Sequence, residues 1–552
     1  MRKLSVFFLS LGLCLALATG ISSAQTPDPR FDVCGQVRDS EGHPIPGVVV
    51  SDNYSVTVTD EDGRYSFVRT PASNWVFISL PSGYEVPLRQ GHPCFYRKLD
   101  DKRLSYDFVL EKMRKEEKAF NLFFIGDPQC QNTLHVNRLK TEGIPDVKAY
   151  SRKQKGNCYA VTLGDIAYTE GGRNTNYLLP IIREEMAADK AGMPVFQTVG
   201  NHDFEFAAGV VDEINPTPAL RRNRMFEAVF GPVDYSWNRG DVHIISMNNV
   251  RFEGLEKPGN YSAGFSDEQL EWLRRDLSYV PKDKMVLLCL HIPISTKSLS
   301  SVKEEGKRHD MQNLFDAVEL ISGYANPMVF SGHTHTNFKN TLSGGVREFT
   351  VGAMSGCWWW SRNCADGSPN GYLVCRFEGN RLVSHIYKGL GFSDRHQMRI
   401  YRGDAVFGGK FEAFPMQYGH NTLLINVFNW DEDWKVEVYE NGRLCASELQ
   451  PMERDKDFVP TDRSSKDWWA IGYNVGVIGR GHAKGSRRNN YCAQCWHMFR
   501  YDVQDPSAKV KVVVTDGAGR RFSESKIYEC DSWENADYSE AVAPEYEETQ
   551  IY

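Results

Sequence analysis

Residues 159–168 read YAVTLGDIAY, an apolar run that ends in a glycine followed by an acidic residue. A short apolar run bounded by turn residues is typical of a buried strand. Gly164 allows the chain to turn sharply off that strand, so that Asp165 leaves the sheet at its edge. In α/β folds the carboxyl ends of the strands carry the functional sites. This stretch therefore predicts a sheet of buried strands with a functional edge.

The same pattern recurs along residues 119–385, where five of six predicted strands end in a polar cluster. The strands are NLFFIG, YAVTLG, PVFQTVG, VHIISM, KMVLLCL and PMVFSG, and the clusters are GDPQ (126–129), GDIAY (164–168), GNHD (200–203), HIP (291–293) and GHTH (332–335). Helix-like segments alternate with them, such as SDEQLEWLRRDL, for which Ser266 is the predicted N-cap. Strands alternating with helices predict an α/β sandwich.

The clusters supply residue types that bind metal ions. Asp, Asn and His together suit divalent ions such as manganese, iron or zinc. Taken singly, an Asp after a strand could be a helix cap or a turn residue, and a lone His, such as His243 or His309, is more often structural. Their common position at strand ends favours a shared metal site for one set of residues: Asp127, Asp165, Asn201, His291, His333 and His335.

This order of motifs resembles the calcineurin-like metallophosphoesterase superfamily, whose pattern is D-x-H, G-D, G-N-H-D/E, H and G-H-x-H. The resemblance implies a central αββα sandwich and a metal-dependent hydrolase of phosphate mono- or diesters. It further implies that Asp127, Asp165 and His335 hold one divalent ion, and that Asp165, Asn201, His291 and His333 hold a second. Asp165 would bridge the two ions, which would share an attacking hydroxide. His202 would protonate the leaving oxygen, and Asp203 would orient His202.

The chain departs from the family pattern at two positions. Gln129 stands where the family has His, and its neutral oxygen should hold the first metal more weakly or favour a harder ion such as manganese. Tyr168 matches the G-D-x-x-Y pattern of purple acid phosphatases, in which the Tyr binds ferric iron. The alternatives for Tyr168 are packing beside the site or contact with substrate. A purple-acid-phosphatase-like monoesterase therefore remains an alternative activity.

Strand and turn signals flank the central domain on both sides. Residues 31–112 alternate apolar and polar positions between Gly, Pro and Asp turns and predict a β-sandwich. This sandwich resembles the carboxypeptidase-regulatory-like domain. Residues 386–540 predict an all-β C-terminal domain. Together the two resemble the flanking domains of an exported bacterial subgroup of the superfamily.

The N-terminus predicts export. Residues 1–24 combine Arg2 and Lys3, an apolar run and small residues, which is typical of a cleaved signal peptide and predicts a secreted or periplasmic protein. No apolar run is long enough to span a membrane. The twelve cysteines that remain after cleavage are an even number, so disulfides are expected; Cys492 and Cys495 form a lone CxxC, which is weak evidence for zinc.

Charge and composition limit the possible binding partners. The 64 Lys and Arg nearly cancel the 71 Asp and Glu, so no nucleic acid is expected as a partner. A small phosphoester, such as a nucleotide, a sugar phosphate or a lipid head group, is the expected substrate. Trp358, Trp359 and Trp360 predict either a ring-binding surface near the metals or domain packing. The basic loop at 479–490, which includes Arg487, is either a phosphate-binding or a solvated loop. A surface glycan-binding or adhesion protein is the non-enzymatic alternative.

Overall fold

The structure is a computed structural model that describes residues 32–103, 105–169, 175–205, 224–252, 261–296, 305–416, 418–452, 466–479 and 493–529. The predicted signal peptide (1–24), most of the basic loop (480–490) and Cys492 lie outside the described residues. None of the helices within the described ranges has the length and apolar composition needed to cross a membrane.

The N-terminal region is built from strands, as the alternating pattern predicts. Three of them form a sheet in the order β4-β1-β9, four form a sheet in the order β3-β2-β5-β8, and β6 pairs with β7. The strands are β1 (Val33–Asp39), β2 (Val49–Ser51), β3 (Val56–Val58), β4 (Arg64–Phe67), β5 (Trp75–Ile78), β6 (Leu88–Arg89), β7 (His92–Pro93), β8 (Tyr96–Lys98) and β9 (Phe108–Leu110).

The central region contains a five-stranded mixed sheet in the order β12-β11-β10-β21-β22. Its members are β10 (Ala119–Ile125), β11 (Asn157–Thr162), β12 (Val195–Phe196), β21 (Gly371–Glu378) and β22 (Arg381–Gly389). β10, β11 and β12 run parallel, so the chain leaves all three at the same edge. β22 continues to Gly389, past the predicted domain end at residue 385.

A six-stranded sheet faces this one, in the order β13-β14-β17-β18-β20-β19. Its members are β13 (Tyr235–Arg239), β14 (Val242–Ser246), β17 (Met285–Cys289), β18 (Ala325–Ser331), β19 (Phe338–Thr341) and β20 (Arg347–Thr350), while β15 (Val250–Phe252) and β16 (Tyr261–Ala263) form a separate hairpin. β14, β17, β18 and β20 are parallel. All six strands that the sequence predicts in this region are therefore present.

Helices cover the sheets. They are α1 (Thr133–Arg138), α2 (Ile144–Ser151), α3 (Leu179–Glu185), α4 (Ala188–Ala191), α5 (Arg224–Phe230), α6 (Asp267–Leu277) and α7 (Glu305–Ser322). A π-helical turn, Leu139–Gly143, joins α1 to α2, and short 3₁₀ turns lie at Asn176–Leu178, Asn201–Asp203, Ile294–Thr296 and Ser343–Gly345. Ser266 caps α6 in a capping box with Gln269, as predicted.

Alternating side chains of β10 show how the layers meet. The Phe124 ring stacks on Phe330 of β18 at 3.8 Å, so this face of β10 packs against the second sheet. The neighbouring Phe123 points the other way and contacts Tyr150 of α2. Successive strand residues face opposite sides of a sheet. β10 is accordingly buried between helices and the second sheet, which explains its continuous apolar sequence.

The C-terminal region is mostly β, with one departure from the prediction. Two four-stranded sheets have the orders β29-β26-β23-β32 and β28-β27-β30-β31, and β24 pairs with β25. The strands are β23 (Met398–Arg402), β24 (Val406–Gly408), β25 (Ala413–Pro415), β26 (Thr422–Val427), β27 (Lys435–Glu440), β28 (Arg443–Ala446), β29 (Met498–Asp502), β30 (Val510–Thr515), β31 (Arg521–Glu524) and β32 (Ile527–Tyr528). The departure is a buried helical segment, α8 (Trp468–Ile471), which continues into a π-helical turn, Gly472–Val477.

The expected disulfides do not form at most of the described cysteines. Seven of these are free thiols: Cys94, Cys130, Cys158, Cys289, Cys364, Cys375 and Cys445. Several are fully buried between strands, where a thiol behaves as a small apolar group.

Candidate metal centre

The predicted ligand residues leave the two sheets at adjoining edges, in tight turns. Five of them have positive φ angles between 40° and 71°: Asp127, Gln129, Asp165, His333 and His335. A non-glycine residue in this conformation costs of order 1–3 kcal/mol, and such residues cluster at functional sites. Close packing at these turns requires glycine beside them. A Cβ on Gly200 would lie 2.2 Å from Asp165 Oδ1.

One group of polar atoms converges on His291 Nε2. Asn201 Oδ1 lies 2.8 Å from this nitrogen, and His333 Nδ1 lies 3.1 Å from it. Asp165 Oδ1 lies 3.3 Å away. The other ring nitrogen of His291 is 2.8 Å from the Leu163 carbonyl oxygen, to which it donates, so Nε2 is the nitrogen that faces this group. Asp165, His291 and His333 thus form a group able to hold one cation, with Asn201 beside it.

A second group forms around Asp127. His335 Nε2 lies 3.6 Å from Asp127 Oδ1, and His335 Nδ1 is held 2.6 Å from the Gly356 carbonyl oxygen. Gln129 Nε2 lies 2.9 Å from Asp165 Oδ2. Because Asp165 Oδ1 faces His291 while Oδ2 faces Gln129, its carboxylate lies between the two groups.

The charges and unpaired atoms of the site fit divalent cations. Gln129 Oε1 is buried and has no hydrogen-bond partner among the described residues, which suits an atom that completes its coordination on an ion. Burial lowers the pKa of His333 to about 3 and that of His335 to about 4, so both rings are neutral, the form that binds metal. Burial alone would lower the pKa of His291, but Asp165 and Asp127 raise it to about 9. The two carboxylates therefore favour positive charge at this point.

His202 is anchored beside this cluster by two contacts. Its backbone N–H donates to Asp165 Oδ1 at 2.8 Å, and its ring Nδ1 lies 2.9 Å from the Thr169 carbonyl oxygen. Nδ1 donates to that carbonyl, which leaves Nε2 as the nitrogen that can exchange a proton.

Asp203 has a different position from the one predicted for an orienting carboxylate. Its Oδ1 accepts from the backbone N–H groups of Ile166 and Ala167, and its Oδ2 accepts from Gly200. Asp203 therefore fastens the Asp165 turn to the Asn201 turn, and Thr169 orients the His202 ring instead. Nothing in the sequence indicated Thr169, because its contribution is a backbone carbonyl.

Aromatic rings border the centre. The half-buried Tyr168 ring stacks on His202 with 4.3 Å between centroids. Of the three tryptophans, the half-buried Trp358 lies 4.8 Å from the His335 ring, whereas Trp359 and Trp360 are buried. The segment forms turns, in which Trp358 and Trp359 have positive φ angles.

Asn249 is a supporting residue that the sequence analysis missed. Its side-chain oxygen accepts from the backbone N–H groups of His291 and Ile292, and its Nδ2 donates to the Ile292 carbonyl. It therefore fixes the turn that presents His291. A signal was available, because the predicted strand VHIISM, the one left without a polar cluster, is also followed by polar residues, Asn248 and Asn249.

Sequence models of three protein-family regions match consecutive parts of the chain. Residues 120–337 match the calcineurin-like phosphoesterase family. Residues 31–113 match the N-terminal part of calcineurin-like phosphoesterases, and residues 348–522 match the C-terminal part. Together the three matches cover most of the chain and include every residue of the candidate metal centre.

Similar proteins include phosphoesterases. A probable glycerophosphodiester phosphodiesterase GpdQ from Arcobacter nitrofigilis is 28% identical over 231 residues, which cover 40% of this chain and 67% of that protein. A solved dimetal phosphatase from Danio rerio is 15% identical, with a TM-score of 0.33 over 50% of this chain and 97% of that one. A 5'-nucleotidase precursor from Thermus thermophilus is 11% identical, with a TM-score of 0.27 over 49% of this chain and 54% of that one. From the three family matches, the chain belongs to the calcineurin-like phosphoesterase superfamily and is a phosphoric ester hydrolase.

Proposed function

We propose that the enzyme hydrolyses a phosphodiester at a centre of two divalent cations. Asp127, Gln129 and His335 would hold one ion, Asn201, His291 and His333 the other, and Asp165 both. When bound, such ions supply positive charge that polarises the phosphoryl group and lowers the pKa of water. The observation that supports two ions is the division of the Asp165 carboxylate, with one oxygen facing each group.

The charge of the site favours a diester over a monoester. Within the described ranges, neither Asp127 nor Asp165 forms an ion pair with Lys or Arg, and the polar partners of their carboxylates include histidine rings, Gln129 and backbone N–H groups. A phosphomonoester dianion carries one more negative charge than a diester, and it needs a further cation to neutralise it. The name of the Arcobacter nitrofigilis relative, a phosphodiesterase, agrees with this preference.

His202 would donate the proton that the leaving oxygen requires. The Thr169 carbonyl holds its ring through Nδ1, so Nε2 can carry a proton to the substrate. Its backbone contact with Asp165 keeps the ring beside the proposed ions without using a ring nitrogen for binding them. Tyr168, stacked on His202, would keep this ring in place and would not bind ferric iron.

A comparison of two nitrophenyl substrates tests the proposed function. We expect the manganese-loaded enzyme to hydrolyse bis-nitrophenyl phosphate with a kcat/KM at least about tenfold above that for nitrophenyl phosphate, a difference of about 1.4 kcal/mol. The leaving group is the same in both, so the ratio reports the charge on phosphorus. A reversed ratio would exclude the diester preference. Hydrolysis of neither substrate would contradict the proposed diesterase activity.

Export remains part of the proposal. The basic and apolar start of residues 1–24 supports a signal peptide and a secreted or periplasmic enzyme. A nucleotide, a sugar phosphate or a lipid head group would then be met outside the cytoplasm.

A further inference from the structure

A cleft lined by cations lies where the N-terminal strands meet helices α3 and α5. Its volume is about 840 Å³. Five basic side chains define this basic cleft: Arg89, Arg97, Lys98, Arg103 and Arg183. Arg89 is on β6, Arg97 and Lys98 are on β8, and Arg183 is on α3. The cations therefore come from separate elements that the fold brings together.

The described lining of the basic cleft has an excess of positive charge. No Asp or Glu is among the described residues that line it. Arg97 donates to the backbone carbonyls of Cys94 and Tyr96, which fixes the guanidinium without cancelling its charge. Other surface cations of the chain do have acidic partners, as Arg64 has Asp62 and Arg274 has Glu271. The absence of acids is thus a local property of the cleft.

Electrostatic effects at Tyr96 show that the cations converge. Burial raises the pKa of Tyr96 to about 12, while Arg183, Arg89 and Arg97 all act in the opposite direction. His92 adds no charge, because burial and Arg183 lower its pKa to about 4. Three guanidinium groups therefore act on one point of the cleft.

We propose that the basic cleft binds a chain of sulfate or phosphate groups, at a site separate from the metal centre. Guanidinium groups bind such oxyanions through paired N–H donors, and several of them on different elements suit a multivalent ligand better than a single small anion. None of the proposed metal ligands is among the described residues that line the cleft. The aromatic rings of Trp75 and Tyr96, which meet edge to face at 5.2 Å in the lining, add apolar surface for the body of the ligand.

Binding of two probes to the full-length, metal-loaded enzyme tests this proposal. The first probe is a fluorescently labelled heparin hexasaccharide, followed by anisotropy, and the second is tripolyphosphate, which competes with it. We expect binding to weaken between about 50 and about 150 mM NaCl, because salt screens exposed charges. The triple variant Arg89→Ala/Lys98→Ala/Arg183→Ala should raise the Kd of the hexasaccharide about 30-fold, at about threefold for each exposed cation. Hydrolysis of the diester should not change.

A control variant separates the cleft from net charge. Arg64→Ala/Arg274→Ala/Lys435→Ala removes the same charge from side chains that are paired with acids elsewhere, and it should change the Kd less than about threefold. The double variant Arg89→Ala/Lys98→Ala alters only exposed residues and serves if Arg183→Ala affects folding. Equal losses in the cleft and control variants, or no binding of either probe, would overturn the proposal. The probe that binds more tightly identifies sulfate or phosphate as the preferred group.

Discussion

At the scale of single residues, Asp165 and His202 have different contacts, so substitutions at the two positions should have different effects on metal content and activity. Asp165 lies between two groups of ligand atoms, whereas His202 touches them only through its backbone N–H. Asp165→Asn removes the negative charge that would offset repulsion between two cations. We expect this variant to lose metal from both positions together with its activity, as metal analysis after dialysis would show.

His202→Ala should instead keep both metals. Without its proton donor, the variant should lose about 10² to 10⁴-fold in rate on a substrate with an alkoxide leaving group. The loss on nitrophenolate should be much smaller, because that group leaves without a proton. Rates on the two substrates and metal analysis together decide the outcome. Loss of metal, or equal loss of rate on both substrates, would show that His202 is not the acid.

Gln129 should be the weakest of the proposed ligands. Its side-chain oxygen is neutral, and its Nε2 donates to Asp165. Gln129→His supplies an imidazole nitrogen, so we expect tighter metal retention on dialysis and a shift of preference from manganese toward zinc or iron. Unchanged stoichiometry and preference would mean that residue 129 does not bind an ion.

Tyr168 provides a test of the purple-acid-phosphatase alternative. Its ring stacks on His202, so Tyr168→Phe preserves the stacking surface and removes only the hydroxyl. We expect the same metal content and no change of colour in the iron-loaded variant. A visible absorption band that disappears in Tyr168→Phe would instead identify ferric phenolate ligation.

The sequence could indicate the proposed ligand residues but not the groups that orient them. Asp127, Asn201 and His333 each follow an apolar strand, so periodicity and turn residues were sufficient to select them. The Thr169 and Gly356 carbonyls, which hold His202 and His335, come from the backbone and have no sequence signature. The contacts of Asp203 could not be predicted from the sequence either, because they depend on how two turns pack together.

At the scale of elements, sequence patterns predicted a strand or a helix cap correctly where the residues that determine it lie within one short segment. The six central strands and the cap of α6 depend on residues a few positions apart. The turns of the Trp358–Trp360 segment have no local sequence signal, because they require positive φ angles at bulky residues, which local preferences oppose. Packing of Trp359, whose Nε1 donates to the Pro128 carbonyl, accompanies this conformation.

The cap of α6 gives a local stability prediction. Ser266 Oγ accepts a hydrogen bond from the Gln269 backbone N–H, and Gln269 Oε1 accepts one from the Ser266 backbone N–H. Ser266→Ala should cost about 1 kcal/mol, which lowers the hydrogen-exchange protection of α6 about fivefold. Ser278→Ala, at the exposed end of the helix, should have a smaller effect. Equal effects of the two variants would mean that the cap does not control the stability of α6.

At the scale of the whole molecule, the C-terminal region is joined to the central sheets by buried polar groups. Asp366, in the central region, accepts from the Asn337 N–H and lies 3.1 Å from His497 of the C-terminal region. Lys339 donates to the carbonyls of Asn429 and Trp430. Asn337 and Lys339 follow shortly after the proposed ligand His335, so the C-terminal region supports the strand that leaves the metal centre. Sequence patterns could not predict these pairs, since the partners lie far apart in the chain.

Asp431 is the central charge of this interface. It forms an ion pair with Arg347 and a hydrogen bond with His385, whose Nε2 is 3.0 Å away. Burial alone would raise the pKa of Asp431, but Lys339, His385 and Arg347 hold it far below its usual value. A lowered pKa in the folded state means that the ionised carboxylate stabilises the fold above the unfolded pKa of about 3.9, and that this stabilisation is lost as the pH falls further.

Asp431→Asn should therefore destabilise the protein at neutral pH, by about 2 kcal/mol, since it weakens hydrogen bonds between charged groups. The difference from the parent enzyme should shrink as the pH falls below about 4, where the Asp431 carboxylate of the unfolded parent chain takes up a proton. Thermal unfolding by calorimetry at a series of pH values measures this difference. Asp433→Asn, at an exposed residue two positions along, removes the same charge and should have little effect. A difference between Asp431→Asn and the parent that did not vary with pH would show that the charge of Asp431 does not stabilise the interface.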